Sequence, residues 1–254
     1  WLVGGQVIDT QDANFSQFVA PTVMAQNLTK SISGYGEAAE SRFYPLRFSF
    51  CENWQSAIPL VALQYHDVEI RVTWGGSLTG AWECYAHFIY LDTDERSSLA
   101  AAPQNMLITQ TQKSVASNST IQELNLNHPV KYLAAASTDG TTLAIAADNN
   151  KIKLQINGTD VTDFKYTDPH YTAVSEYYHT CASAAAASGA NKKRFIYPFC
   201  FETGKLQPTG SLNFSRVDSA RLVSEIASHT DDIYAVNYNI MRVESGMGGL
   251  MYSN

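Results

Sequence analysis

Tyr234-Ala235-Val236-Asn237-Tyr238-Asn239-Ile240-Met241-Arg242-Val243 decides how the chain reads. Tyr234, Val236, Tyr238 and Ile240 recur at period two, the side-chain period of a β-strand and not of a helix. Asn237, Asn239 and Met241 occupy the other side, and that mix predicts a second covered face, against a neighbouring sheet or subunit. Gly246, Gly248 and Gly249 then predict a tightly packed tail.

Working outward, the same kind of pattern recurs in short pieces. Strands are expected at Ile121–Leu126, Leu143–Ala146, Ile152–Ile156, Phe195–Phe201 and Arg221–Ile226. Between them stand turn formers, including Asp139-Gly140, Asp148-Asn149-Asn150, Asn157-Gly158 and Pro208-Thr209-Gly210. Nearer the start, residues 1–9 read as a strand turning at Gly4-Gly5, and 10–42 as a polar, turn-rich loop. Apolar runs at 43–50 and 58–63 precede Val68, Ile70, Val72 and Trp74, which alternate with Glu69, Arg71 and Thr73. Gly75-Gly76-Ser77 and Gly80 form the best boundary, and Trp82–Leu91 reads as a fresh strand.

Asp92-Thr93-Asp94-Glu95 follows with the spacing of a helix N-cap whose glutamate reaches back three residues, so Asp92 and Glu95 are read as a structural cap. One short helix over about 93–101 is expected, because Pro103 opposes a longer one. The Ala/Ser-rich stretch 181–190 reads equally as two helical turns or a surface loop. Many short strands, frequent turns and little amphipathic helix predict an all-β sandwich or barrel.

Composition narrows the function. The 254 residues are 45% hydrophobic and 16% charged, which is the profile of a folded chain. A formal charge of −7, with Lys192-Lys193-Arg194 the longest basic cluster, argues against a surface that neutralises phosphates. No apolar run reaches the roughly 18 residues a bilayer-spanning helix needs. Cys51, Cys84, Cys181 and Cys200 lie far apart, without metal-ligand spacing, and are expected as free, mostly buried thiols. The chain opens on Trp1-Leu2-Val3-Gly4-Gly5 without an initiator Met, so a missing upstream segment is expected.

Catalytic signals are weak. Asp92-Thr93-Asp94 has the Asp-x-Asp form of some metal-dependent transferases, but no phosphate loop accompanies it and a helix cap accounts for the same residues. His66-Asp67, His170 and His179 are the remaining general-base or metal candidates; Pro169 interrupts the helical face that would unite the last two. No nucleophile elbow, zinc-binding His-Glu-x-x-His, phosphate loop or dinucleotide fingerprint is present. The expectation is therefore no enzyme, no cofactor and no metal site. Asn-x-Ser/Thr triplets occur at Asn14, Asn27, Asn118, Asn157 and Asn213. Asn157, in a predicted turn, and Asn118 are the candidate glycosylation sites.

The C-terminal third carries Leu206-Gln207-Pro208-Thr209-Gly210-Ser211-Leu212-Asn213-Phe214-Ser215-Arg216-Val217-Asp218 and Asn237-Tyr238-Asn239-Ile240-Met241-Arg242-Val243-Glu244-Ser245-Gly246-Met247-Gly248-Gly249-Leu250. These runs resemble the major capsid proteins of the nucleocytoplasmic large DNA viruses, especially those of algal viruses. Ile89–Arg96, Asn127–Lys131 and Ile58–Val68 resemble further parts of that family in the same order. The resemblance implies tandem antiparallel β-sandwiches, a double jelly roll whose first member is incomplete, with one short helix after the first strand of the second. Residues 1–78 would be the C-terminal part of the first jelly roll and 79–254 the second. It further implies a virion protein made in the host cytoplasm, with no direct nucleic-acid partner. Such a subunit forms homotrimeric, pseudo-hexagonal capsomers and meets minor capsid proteins in an icosahedral shell. Two rival readings stand beside it. One is a carbohydrate-binding jelly roll using Tyr166, Tyr171, Tyr177 and Tyr178 as stacking platforms. The other is a metal-dependent transferase using Asp92 and Asp94.

Overall fold

The alternating run forms a twelve-residue strand, Ile233–Glu244, against which much of the chain is organised. The structure is a computed structural model that describes residues 1–24, 44–75, 82–137, 143–180 and 194–253. In chain order its strands are β1 (Leu2–Val3), β2 (Gln6–Val7), β3 (Val68–Glu69), β4 (Gln104–Ser114), β5 (Ile121–Glu123), β6 (Pro129–Ala136) and β7 (Lys151–Ile156). They continue with β8 (Thr159–Asp160), β9 (Lys165–Tyr166), β10 (Arg194–Pro198), β11 (Leu212–Asn213), β12 (Ala220–Ser224), β13 (Ile233–Glu244) and β14 (Met247–Leu250). Short helices α1 (Ala20–Val23), α2 (Thr93–Ala101) and α3 (Ser175–His179) complete the set.

Two antiparallel sheets make a sandwich. The larger runs β10-β6-β13-β14, with β4 alongside β13 and β11 alongside β6; the smaller runs β5-β12-β7-β8, with β9 on β7. Between them lie Val130, Leu133, Ala135, Phe195, Ile233 and Ala235 from one sheet and Ile152, Leu154 and Leu222 from the other. The large sheet is covered on its second face too. Tyr132, Ala134, Ile196, Tyr234 and Val236, which alternate with the first set, pack against Phe15, Val19 and Val23 of the helical segment that ends in α1. Helical structure there, inside the expected loop, follows from this apolar face finding a sheet to cover.

A third cluster joins the two ends of the chain. Trp1, Val3, Ile8, Phe48 and Leu63 pack on Ile108, Met241 and Val243, so the small β2-β1-β3 sheet shares a core with β4 and β13. Between the apolar clusters runs a buried amide network. Gln112 Nε2 donates to Asn237 Oδ1 at 2.8 Å, Asn239 Nδ2 donates to Gln110 Oε1 at 2.9 Å, and Gln110 Nε2 donates to the Ile8 carbonyl. Those partners are what make amides tolerable on a buried strand face.

Turn residues behave as their chemistry requires. The β1–β2, β7–β8 and β13–β14 connections place Gly4-Gly5, Asn157-Gly158 and Ser245-Gly246 at positive φ, the geometry that matches strand twist in a two-residue turn. Gly210 sits at φ +141, and a Cβ there would come within 2.7 Å of the Phe199 carbonyl oxygen, so the Pro-Thr-Gly turn has room for glycine only. At α2, Asp92 and Glu95 form a reciprocal capping box, the Asp92 N–H donating to Glu95 Oε2 at 3.2 Å.

Several expectations need correcting. Residues 144–146, inside the strand expected at 143–146, form a single 3-10 turn that buries Ile145 and Ala146. The alternation at 68–74 yields ladder pairing only for Val68 and Glu69, which meet Val3 and Leu2. Cys51 and Cys84 are exposed and Cys200 is the buried thiol; Cys181 lies outside the described residues. The Ala/Ser-rich stretch, the basic cluster's two lysines and most of the 10–42 loop and of the 75–80 boundary also lie outside them.

Candidate interaction surface

The segment expected to be a fresh strand forms none, and has no sheet partner among the described residues. Its sequence, Trp82-Glu83-Cys84-Tyr85-Ala86-His87-Phe88-Ile89-Tyr90-Leu91, is built for pleated packing, yet every position is exposed. Tyr85 is 86% exposed, Phe88 64% and Tyr90 93%. Ile70, Val72 and Trp74 are exposed as well, and the Trp74 and Trp82 rings lie 5.2 Å apart, which makes the strip continuous. Trp54, also exposed, stands 6.2 Å from the His87 ring and widens it. An apolar strip with unpaired backbone is the composition of a contact surface, since it offers both apolar area and a row of unused donors and acceptors.

The residues with possible chemistry are scattered. Asp92 and Glu95 are engaged with each other at the start of α2. His66 sits against β14, where the Gly248 N–H donates to its Nδ1 at 3.1 Å. His179 Nδ1 lies 2.9 Å from the Cys200 carbonyl, while His170 faces Lys165 at 3.5 Å. Among the described residues no three His, Cys, Asp or Glu side chains converge as metal ligands would. Of the four tyrosines proposed as sugar platforms, Tyr171 is buried in the sandwich core; Tyr166, Tyr177 and Tyr178 are exposed. Asn118 and Asn157 are both exposed, at positive φ. Asn157 Oδ1 accepts the Asp218 and Ser219 N–H groups, each at 3.0 Å, tying the β7–β8 turn to the start of β12.

Comparison with known proteins decides among the readings. The family model "Large eukaryotic DNA virus major capsid protein" matches residues 95–249, more than half of the chain, and "Major capsid protein N-terminus" matches 3–86. The chain belongs to this family of viral major capsid proteins. The major capsid protein of Pyramimonas orientalis virus is 35% identical over an alignment covering 87% of this chain and 63% of that protein. The major capsid protein of Paramecium bursaria Chlorella virus 1 is 28% identical, with 99% of this chain and 77% of that protein covered. The chain therefore spans somewhat under two thirds of the Pyramimonas virus protein's length. Its fold matches a subunit of the PBCV-1 virus capsid quasi-atomic model with a TM-score of 0.73 at 23% identity, over 99% of this chain and 82% of that one. The described sheets are thus those of a jelly-roll capsid protein.

Family membership gives the uncovered strip its context. Sequence reasoning expected a strand over 82–91, which the structure does not form, and missed that the run is uncovered. Its one available signal is that aromatic and aliphatic residues occupy both parities, with Tyr85 and Ile89 on one side and Phe88 and Tyr90 on the other.

Proposed function

We propose that this chain is part of a shell-building subunit that trimerises into pseudo-hexagonal capsomers and tiles the icosahedral capsid of a large double-stranded DNA virus. The observation that carries the reading is the uncovered apolar strip over 70–74 and 82–91 in a chain of this family. Its burial supplies the driving force for association, and a cyclic trimer satisfies it by heterologous contacts that close after three copies. The two tandem units, 1–78 and 79–254, are proposed as the successive jelly rolls. Minor capsid proteins, rather than nucleic acid, are the proposed further partners, in keeping with the chain's acidic balance. Its proposed place is the virion, after synthesis in the host cytoplasm.

Size-exclusion chromatography with light scattering tests the assembly step. The expected result is a species of about three times the 28.0 kDa chain mass. A stable, well-folded monomer across the micromolar range would overturn it.

Asn157 and Asn118 are proposed as glycan acceptors, since both are exposed on turns. Intact mass of the virion protein, before and after enzymatic deglycosylation, reports this directly. An unmodified mass removes the proposal.

A further inference from the structure

A small cavity of about 40 Å³ lies where the N-terminal region meets the large sheet. It is lined by Glu52 and Asn53 from the first part of the chain, Lys131 and Tyr132 of β6, Thr203 of the loop after β10, and Tyr238 of β13. Its size suits one to three water-sized groups.

Its walls carry more donors than the protein satisfies. Lys131 is 4% exposed; its ammonium gives one hydrogen bond, to the Thr203 carbonyl at 2.9 Å, and lies 5.2 Å from the centre of the Tyr238 ring. An ammonium has three donors, so two have no bond to the described residues. The phenol oxygens of Tyr132 and Tyr238 are both buried without a partner among the described residues. Leaving such groups unpaired in a low-dielectric site is costly, and burial duly pulls the Lys131 pKa below its ordinary value.

Charge gives the second, independent indication. Arg47 lies 3.6 Å from the Glu52 carboxylate, and its Nε is buried without a partner among the described residues. Among the described residues that line the cavity, Glu52 is the one carboxylate, and Arg47 already pairs with it. Lys205 at the cavity mouth adds nothing to this balance, because Glu202 pairs with it at 2.6 Å. The neighbouring Cys200 thiol is held neutral, since burial raises its pKa.

We propose that this cavity binds one small monovalent inorganic anion of halide size, held by Lys131 Nζ with Tyr132 and Tyr238 donating their hydroxyl protons. The anion pairs with the buried ammonium at the seam between the N-terminal region and the sandwich, and so couples the two. Glu52 limits the site to anions small enough to sit on the lysine side of the cavity.

The test is thermal unfolding of the 254-residue chain at constant ionic strength, with chloride or bromide replacing gluconate, which is too large to enter. The expected result is a saturable rise in Tm with halide. Lys131→Met should weaken the apparent affinity about tenfold or more, and Tyr238→Phe about fivefold, as expected for charged and neutral hydrogen bonds. Crystals grown in bromide should show an anomalous peak within hydrogen-bond distance of Lys131 Nζ. No halide dependence, an equal response in both variants, or ordered water only at that position would each overturn the proposal. Should Lys131→Met fail to fold, Tyr238→Phe and the bromide peak decide it alone.

Discussion

Phe195→Ala is expected to lower the unfolding free energy by about 3–5 kcal/mol, the usual range for removing a fully buried aromatic. Phe195 is wholly inaccessible in β10, its ring 5.6 Å from that of Tyr171, with Leu133 and Tyr197 in the same cluster. Marginal stability makes that a large share of the total. Urea denaturation followed by tryptophan fluorescence measures it. The instructive comparison is Tyr90→Ser on the uncovered strip, where the chain alone should lose no more than about 0.5 kcal/mol. Association, read by light scattering, should be what Tyr90→Ser weakens. Equal stability losses in the two variants would mean that the strip belongs to this chain's own core, and the contact-surface assignment would fall.

The second large effect is on pH dependence, where two buried groups oppose each other. His229 is completely buried with neither ring nitrogen partnered by a side chain, and burial lowers its pKa from 6.5 to about 4. The folded state therefore binds that proton less readily than the unfolded state. Its contribution is whole above pH 6.5 and is lost as the pH falls toward 4, about 3 kcal/mol in all. Asp9 runs the other way. Burial raises its carboxyl pKa from 3.8 to about 6, against hydrogen bonds from the Thr111 N–H at 2.7 Å and Gln11 Nε2 at 2.9 Å. Its contribution is whole below 3.8 and is lost as the pH rises through 6, again about 3 kcal/mol. Between pH 6.5 and 4 the two nearly cancel. Asp9→Asn removes one side of the balance, so over that window it should lose about 3 kcal/mol more than the parent chain. Denaturation midpoints at pH 6.5, 5 and 4 give the difference, in which all other carboxylates drop out. Parallel curves for the two proteins would refute the opposition.

How far the sequence shows this fold depends on how each strand face is satisfied. β7, β12 and β13 were legible because each carries a side on which apolar residues recur at period two. β4, eleven residues long and paired with β13 along its length, was not. Met106 and Ile108 start an apolar face that the buried Gln110 and half-buried Gln112 then break, amides that Asn237 and Asn239 lie close enough to meet. Such pairing across 125 residues has no local signature. The 3-10 turn at 144–146 failed for the opposite reason, since its small apolar residues suit any buried backbone. The run 82–91 was read as a strand because its residues favour one, but it forms none, since a strand also needs a partner that the run itself does not specify. The cavity at Lys131 was likewise out of reach, because an ordinary-looking Lys-Tyr pair gains its meaning only beside Tyr238 and Glu52.

β13 contributes Ile233 and Ala235 to the sandwich interior, Tyr234 and Val236 to the face under α1, and Met241 and Val243 to the cluster around Trp1. Its pairing with β4 holds register from Ile233↔Ser114 to Val243↔Gln104. Tension applied lengthwise between the N-terminal region and the sandwich would meet that ladder in shear. Its backbone bonds would then share the load at once, where peeling from one end would break them one by one. Two regions riveted along one strand resist such separation more than two hinged at a loop.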